Sequence, residues 1–285
     1  MRESFVDVGG LELCVCAWGP EVPSGRPPVV ILHGLLEQGA AWDAVARPLA
    51  EAGWSVFAPD QRGHGRSGHV PRGAYYHFPD YVADLDGLCE ALGFGEILLI
   101  GHSMGGTVSC MYAGARPERV RGLVLIEGLG PPRISDEDAA AQLRVHLDHR
   151  AHPPAHEPLP SIADGAERMK RFNPGMDDAL ARRLAARTLR QTPEGFVWTW
   201  DPLHRTRAAT AFVAGRHRAL LQRITAPVLA VYGTRSWYVA LPDLAEREAA
   251  LAWLDRVELD GGHGLHHDAP EALAGHILRW MSAVP

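Results

Sequence analysis

Gly101-His102-Ser103-Met104-Gly105 sets a serine between two glycines, directly after the apolar run Ile97-Leu98-Leu99-Ile100 and directly before a helical pattern. In a chain with 30 glycines the bare Gly-x-Ser-x-Gly spacing says little, so its placement carries the argument. A strand that turns sharply into a helix holds the serine hydroxyl up at the sheet edge, and so tight a turn tolerates no bulk at the flanking positions. The helix that follows points the positive end of its dipole at a developing oxyanion. The chemistry implied is nucleophilic attack by Ser103 on an acyl carbon, which requires a base and a group that orients the base.

The 15 histidines leave the base undecided by composition. His263, in Leu259-Asp260-Gly261-Gly262-His263-Gly264, lies past a strand and before the last helix, on a loop where a base would reach the sheet rim. His266 and His267 are close rivals. For the acid, the strand starting at Val228 runs into Gly233-Thr234-Arg235-Ser236-Trp237 without a carboxylate, and Asp243 lies far along. The strand before it, Leu123-Val124-Leu125-Ile126, leads straight into Glu127 at the rim that carries Ser103. The competing reading of Glu127 is a solvated strand end, or a partner for an arginine of the middle segment. Oxyanion donors are expected from the backbone N–H groups of Met104, after the serine, and Leu35, in His33-Gly34-Leu35. The turn over residues 60–67 reads as structural, its charged groups satisfying one another.

Apolar runs alternate with helical patterns, which implies an α/β fold with a mostly parallel sheet and helices on both faces. Eight strands are expected near residues 4–8, 11–18, 29–32, 55–58, 97–100, 123–126, 228–232 and 256–259. The alternation breaks in the middle. Residues 1–129 and 224–285 form the expected core, and 130–223 an inserted helical lid over the C-terminal edge of the sheet. Helices are expected there at 136–150, 163–172 and 176–190. Arg183, Arg187 and Arg190 share a face of the last one. They could meet an acidic carrier protein or a phosphate, although such a stripe is more often a solvated face.

The 285 residues are 46% hydrophobic, enough for a sizeable core, and the formal net charge of −6 argues against nucleic acid as a partner. No run approaches the roughly 18 apolar residues needed to span a bilayer. The first residues carry acids and no apolar stretch, unlike a secretory signal. Cys14, Cys16, Cys89 and Cys110 lack metal-site spacing. His146, His149, His152 and His156 invite a metal reading, but Pro153-Pro154 breaks their common face. The expectation is a cytoplasmic enzyme with reduced thiols, no metal and no cofactor.

With these residues placed, the chain resembles the α/β-hydrolase superfamily over nearly its whole length. Within it, the chain is similar to the chain-terminating, decarboxylating thioesterases of the curacin polyketide synthase type. The likeness runs through Leu13-Cys14-Val15-Cys16-Ala17-Trp18-Gly19, the stretch from His33 to Trp42, the Gly-His-Ser-Met-Gly turn and Glu127. It continues through Trp198-Thr199-Trp200-Asp201, Arg205-Thr206-Arg207 and Gly261-Gly262-His263. The resemblance implies an acyl thioester substrate carried on an acyl carrier protein, and a homodimer. It also implies hydrolysis of a β-sulfated chain, after which the acid loses carbon dioxide and sulfate. Arg207 would then hold the sulfate, as suits a planar permanent cation, with Arg205 and Trp200 nearby. A carboxylester or lactone hydrolase on a small hydrophobic substrate would use the same triad; a non-catalytic receptor on this fold is the third class.

Overall fold

Val29–Leu32 is four apolar residues in a row, and all four are buried, as a strand covered on both faces must be. Its side chains alternate: Val29 and Ile31 enter one core, Val30 and Leu32 the other. Each such burial contributes roughly 1.5–3 kcal/mol. The computed structural model describes residues 1–21, 25–133 and 135–284, so part of the Pro/Gly-rich loop before this strand lies outside the described residues. The first half of the chain lays down β1 (Arg2–Asp7), β2 (Glu12–Trp18), β3 (Val29–Leu32), α1 (Asp43–Glu51), β4 (Val56–Pro59), α2 (Phe78–Ala91), β5 (Ile97–His102), α3 (Met104–Ala115) and β6 (Val120–Ile126). Then come α4 (Ala139–Ala151), α5 (Ile162–Phe172), α6 (Asp178–Thr188), β7 (Leu189–Thr192), β8 (Gly195–Trp198) and α7 (Ala214–Leu221). The chain ends with β9 (Val228–Gly233), α8 (Leu244–Glu248), β10 (Leu254–Leu259), α9 (Leu265–Asp268) and α10 (Pro270–Ala283).

Eight strands form one sheet in the order β1-β2-β4-β3-β5-β6-β9-β10. The β1–β2 and β2–β4 pairs are antiparallel and the others parallel. Helices cover both faces. β5, β6 and β9 are consecutive and parallel, so their C-terminal ends lie side by side. No helix among the described residues is long and apolar enough to cross a membrane.

Everything from α4 to α7 lies between β6 and β9 in the chain. Its apolar residues, among them Met176, Leu184, Leu189, Trp198 and Trp200, join the same core as Trp42, Ile31 and Ile277. Ser161 and Asp177 cap α5 and α6 by accepting the N–H groups of Asp164 and Leu180. The sequence expectation of helix to Arg190 fails. The helix stops at Thr188, and Leu189–Thr192 pairs with Gly195–Trp198 in an unforeseen hairpin. Pro193 and Glu194 make its turn, Gly195 opens β8 at φ 136°, and strands of four residues are too short for alternation to reveal.

The arginine stripe is broken as well: Arg190 is exposed and falls on β7, not on the helix, and Arg183 is also exposed. Arg183 reaches Asp43 at 3.4 Å, whereas Arg187 is almost buried. Its guanidinium donates to Asp60 at 2.8 Å, Gln38 at 2.7 Å and Glu3 at 2.9 Å. The Asp60 carboxylate also accepts the N–H groups of Gly39 and Arg66. The turn at 60–67 is therefore a knot that fastens α6 to β2 and β4.

Candidate active site

Ser103 sits at the end of β5 as the cap of α3, with φ 51°. A non-glycine residue in that region costs of order 1–3 kcal/mol, which the surrounding packing must offset. A Cβ on Gly105 would lie 2.2 Å from the Leu32 carbonyl oxygen, and one on Gly101 2.6 Å from the Gly105 carbonyl. The two glycines of the motif are thus required by backbone contact. The Ser103 N–H donates to the Ile126 carbonyl at 3.0 Å, and the Glu127 N–H to the Val231 carbonyl at 3.1 Å, which registers the ends of β5, β6 and β9.

Glu127 is fully buried, also at positive φ (48°). A buried carboxylate must find donors, and it has three. The Gly233 N–H donates to Oε1 at 2.8 Å and the Ser236 hydroxyl to Oε2 at 2.6 Å. The third is His263 Nδ1, in close contact with Oε2. Because the carboxylate only accepts, His263 carries its hydrogen on Nδ1 and presents a bare Nε2. The Ser103 hydroxyl donates to that Nε2 at 2.9 Å. So the structure brings Ser103, His263 and Glu127 into one hydrogen-bonded line. The last residue of β9 and the segment after it, which lack an acid, supply two donors to the acid instead.

His266 and His267 are buried on α9 and make no contact with Ser103. Asp243 is committed elsewhere, bonded to Arg247 at 2.8 Å and paired with Arg133 at 3.3 Å. The His263 loop is set by close backbone packing, since a Cβ on Gly233 would meet the Gly262 carbonyl at 2.4 Å. Asp268 steadies it by accepting the Gly262 N–H at 2.6 Å.

Met104 is the first residue of α3, so its N–H has no partner within the helix. Leu35 follows β3 on a loop pinned by His33. Gln61 donates its backbone N–H to His33 Nε2 at 2.9 Å, so His33 Nδ1 donates to the Gly34 carbonyl at 2.7 Å. Leu35 and Met104 both line a cavity of about 150 Å³. Tyr75, Tyr76, Phe78, Tyr81, Leu203, His204, Thr206 and Ala208 complete its wall. His204 stacks on His64 at 3.9 Å, and burial pushes it down to about 4, so the wall is uncharged at neutral pH. Tyr75 also faces an outer recess of about 550 Å³ lined by His77, His146, Leu147 and Arg150.

Of the residues that the resemblance assigned to substrate, Trp200 is buried in the insertion, against Trp198 and His156. Arg205 and Arg207 are exposed; neither lines the cavity, although Thr206 and Ala208 on either side of Arg207 do. His146 and His156 are spent on the carbonyls of Arg207 and Trp200. Among the described residues, the cluster that could gather around a cation is Glu37, His102 and His266, with donor atoms within 4.8 Å of one another. It comes from three separate elements, so no spacing in the chain announces it.

A serine on a strand–helix bend, faced by a histidine that a buried carboxylate orients, at the rim of such a sheet, defines the α/β-hydrolase class. The chain belongs to that family: the α/β-hydrolase fold model matches residues 27–270. Among its relatives, a serine hydrolase-like protein of Danio rerio is 31% identical over 276 residues, 93% of this chain and 83% of the relative. A probable serine hydrolase of Drosophila melanogaster is 27% identical over 93% of this chain and 82% of its own length. Among solved structures, a thioesterase domain from the curacin biosynthetic pathway superposes with a TM-score of 0.87 at 36% identity, covering 98% of this chain and 99% of that one. A hypothetical protein of Pseudomonas aeruginosa PAO1 gives 0.88 at 29% identity, covering 99% of each.

Proposed function

We propose that this serine hydrolase of the α/β-hydrolase family is a thioesterase that frees an uncharged hydrophobic acyl chain from a carrier-bound pantetheine thioester. The observation that carries the reading is the end-to-end likeness to a thioesterase domain, which extends through the insertion as well as the sheet. Ser103 Oγ attacks the thioester carbon as its proton passes to His263 Nε2, and Glu127 stabilises the imidazolium through Nδ1. The N–H groups of Leu35 and Met104 receive the oxyanion. Collapse breaks the C–S bond, and His263 returns the proton to the departing sulfur. Water then attacks the acyl-serine with His263 as base again, releasing the acid and restoring Ser103.

The cavity beside the oxyanion donors supports an acyl chain there: its wall is aromatic and aliphatic and holds no cation. A β-sulfated chain, with later loss of carbon dioxide and sulfate, would rely instead on Arg207, whose neighbours in sequence reach the cavity. Mass spectrometry of products from pantetheine thioesters with and without a β-sulfate, beside the matching oxygen esters, tests the reading. Free acid and free thiol are expected from the uncharged thioester, at a rate that Arg207→Ala leaves unaltered. A strong preference for the sulfated substrate, lost in Arg207→Ala, would replace this reading with the decarboxylating one. No turnover of any thioester beside brisk ester cleavage would make the protein a carboxylester hydrolase.

A further inference from the structure

His102, the residue before the nucleophile, is buried and faces away from the acyl cavity. Its Nε2 lies 2.9 Å from the backbone carbonyl oxygen of His263. A carbonyl can only accept, so this nitrogen carries a hydrogen. Nδ1 lies 3.3 Å from Glu37 Oε2, an oxygen that already accepts the Gly34 N–H at 2.8 Å. A neutral His102 would then set a bare lone pair against a carboxylate inside the protein. A proton in that gap removes the conflict, making the pair imidazolium and carboxylate.

We propose that Glu37 and His102 form a largely buried carboxylate–imidazolium pair, which positions the loop of His263 and keeps a fixed positive charge behind it. The proposal rests on the reading of His263 as the base of Ser103. The groups facing the pair fit it. His266 turns Nε2 toward Glu37 Oε1 at 3.4 Å, has no hydrogen-bond partner on either ring nitrogen, and is pushed down by burial. Its ring lies flat on Trp42, centroids 4.4 Å apart and planes 7° from parallel. His267, packed on His266, and His33 are also pushed down by burial. Burial alone would raise the Glu37 carboxyl, but the imidazoles around it hold it well below its ordinary range. For His102, burial opposes the charge and Glu37 outweighs it, with a smaller contribution from Glu127.

The His102 and His263 rings lie 4.9 Å apart, so the base is held from two directions. Glu127 fixes its imidazole and His102 its backbone. A cation at that distance disfavours a second one on the neighbouring ring.

Nitrogen-15 NMR of histidine-labelled protein reads the state of His102 whether or not a good substrate is known. Both ring nitrogens should be protonated at neutral pH in the wild type, and Glu37→Gln should convert the ring to the neutral form protonated on Nε2. In pH profiles of kcat/KM, Glu37→Gln should move the acid limb up by about half a unit or more, with plateau kcat within about tenfold of wild type. His102→Gln, which keeps a donor but no charge, should move the limb likewise; His102→Leu, with no donor, should also lower plateau kcat by about tenfold. A neutral His102 in the wild type overturns the proposal. So does an unmoved acid limb with only a lower Tm, or stoichiometric Zn²⁺ binding that Glu37→Gln abolishes, which would make the cation in the gap a metal.

Discussion

At the sheet rim, backbone geometry fixes the reactive groups: Ser103 and Glu127 both stand at positive φ, and strand-end hydrogen bonds register them. In the insertion, side chains do the fixing. Arg187 on α6 reaches Glu3, Gln38 and Asp60 on three different parts of the core. The rim can therefore be disabled one atom at a time while the fold survives. Losing one guanidinium from the insertion's anchor instead leaves buried charge unmatched. Turnover and stability should therefore separate cleanly between the two regions.

Ser103→Ala should give the largest effect, a fall in kcat on the order of 10⁴ to 10⁶ with little loss of stability. Retained turnover in a steady-state assay would break the comparison outright. Glu127→Gln should lower kcat by about 10² to 10⁴, because the imidazole loses the partner that sets its tautomer. Asp243→Asn makes the sharper control. Asp243 serves Arg247 and Arg133, so turnover should change by no more than about threefold even where stability drops. Arg187→Leu should do the opposite. Breaking its pairing with buried Asp60 should cost about 3–5 kcal/mol in urea unfolding. Turnover at saturating substrate should fall far less than in either rim variant. An Arg187 variant as stable as wild type would mean that the insertion is held by its apolar face alone.

What could be read from the sequence is what the chain places locally. The Gly-x-Ser-x-Gly bend announces itself because strand, turn and helix are contiguous. Glu127 stands out because it ends an apolar run of four, and His263 because a glycine pair precedes it. Eight strands were legible because six of them are nearly pure apolar runs. What escaped depends on distant residues meeting. Glu37, His102 and His266 lie on three elements, and the service of Gly233 and Ser236 to Glu127 looks from the sequence like a missing acid. Arg187 reads as surface because a helical stripe of arginines normally is one; only the approach of Asp60 and Glu3 makes its burial tolerable. The aromatic wall from Tyr75 to Tyr81 gave no signal, since it lies in a loop and the first turn of a helix.

The knot at Arg187 has a consequence for how a substrate gets in. With α6 tethered to the strands beneath it, the insertion cannot lift away as one piece. Its opposite flank, at α4, is held more lightly: Gln142 to the Ala208 carbonyl, His146 to Arg207 and Arg150 to Gly73. That flank borders the outer recess, which makes α4 the freer side of the insertion for an approaching substrate.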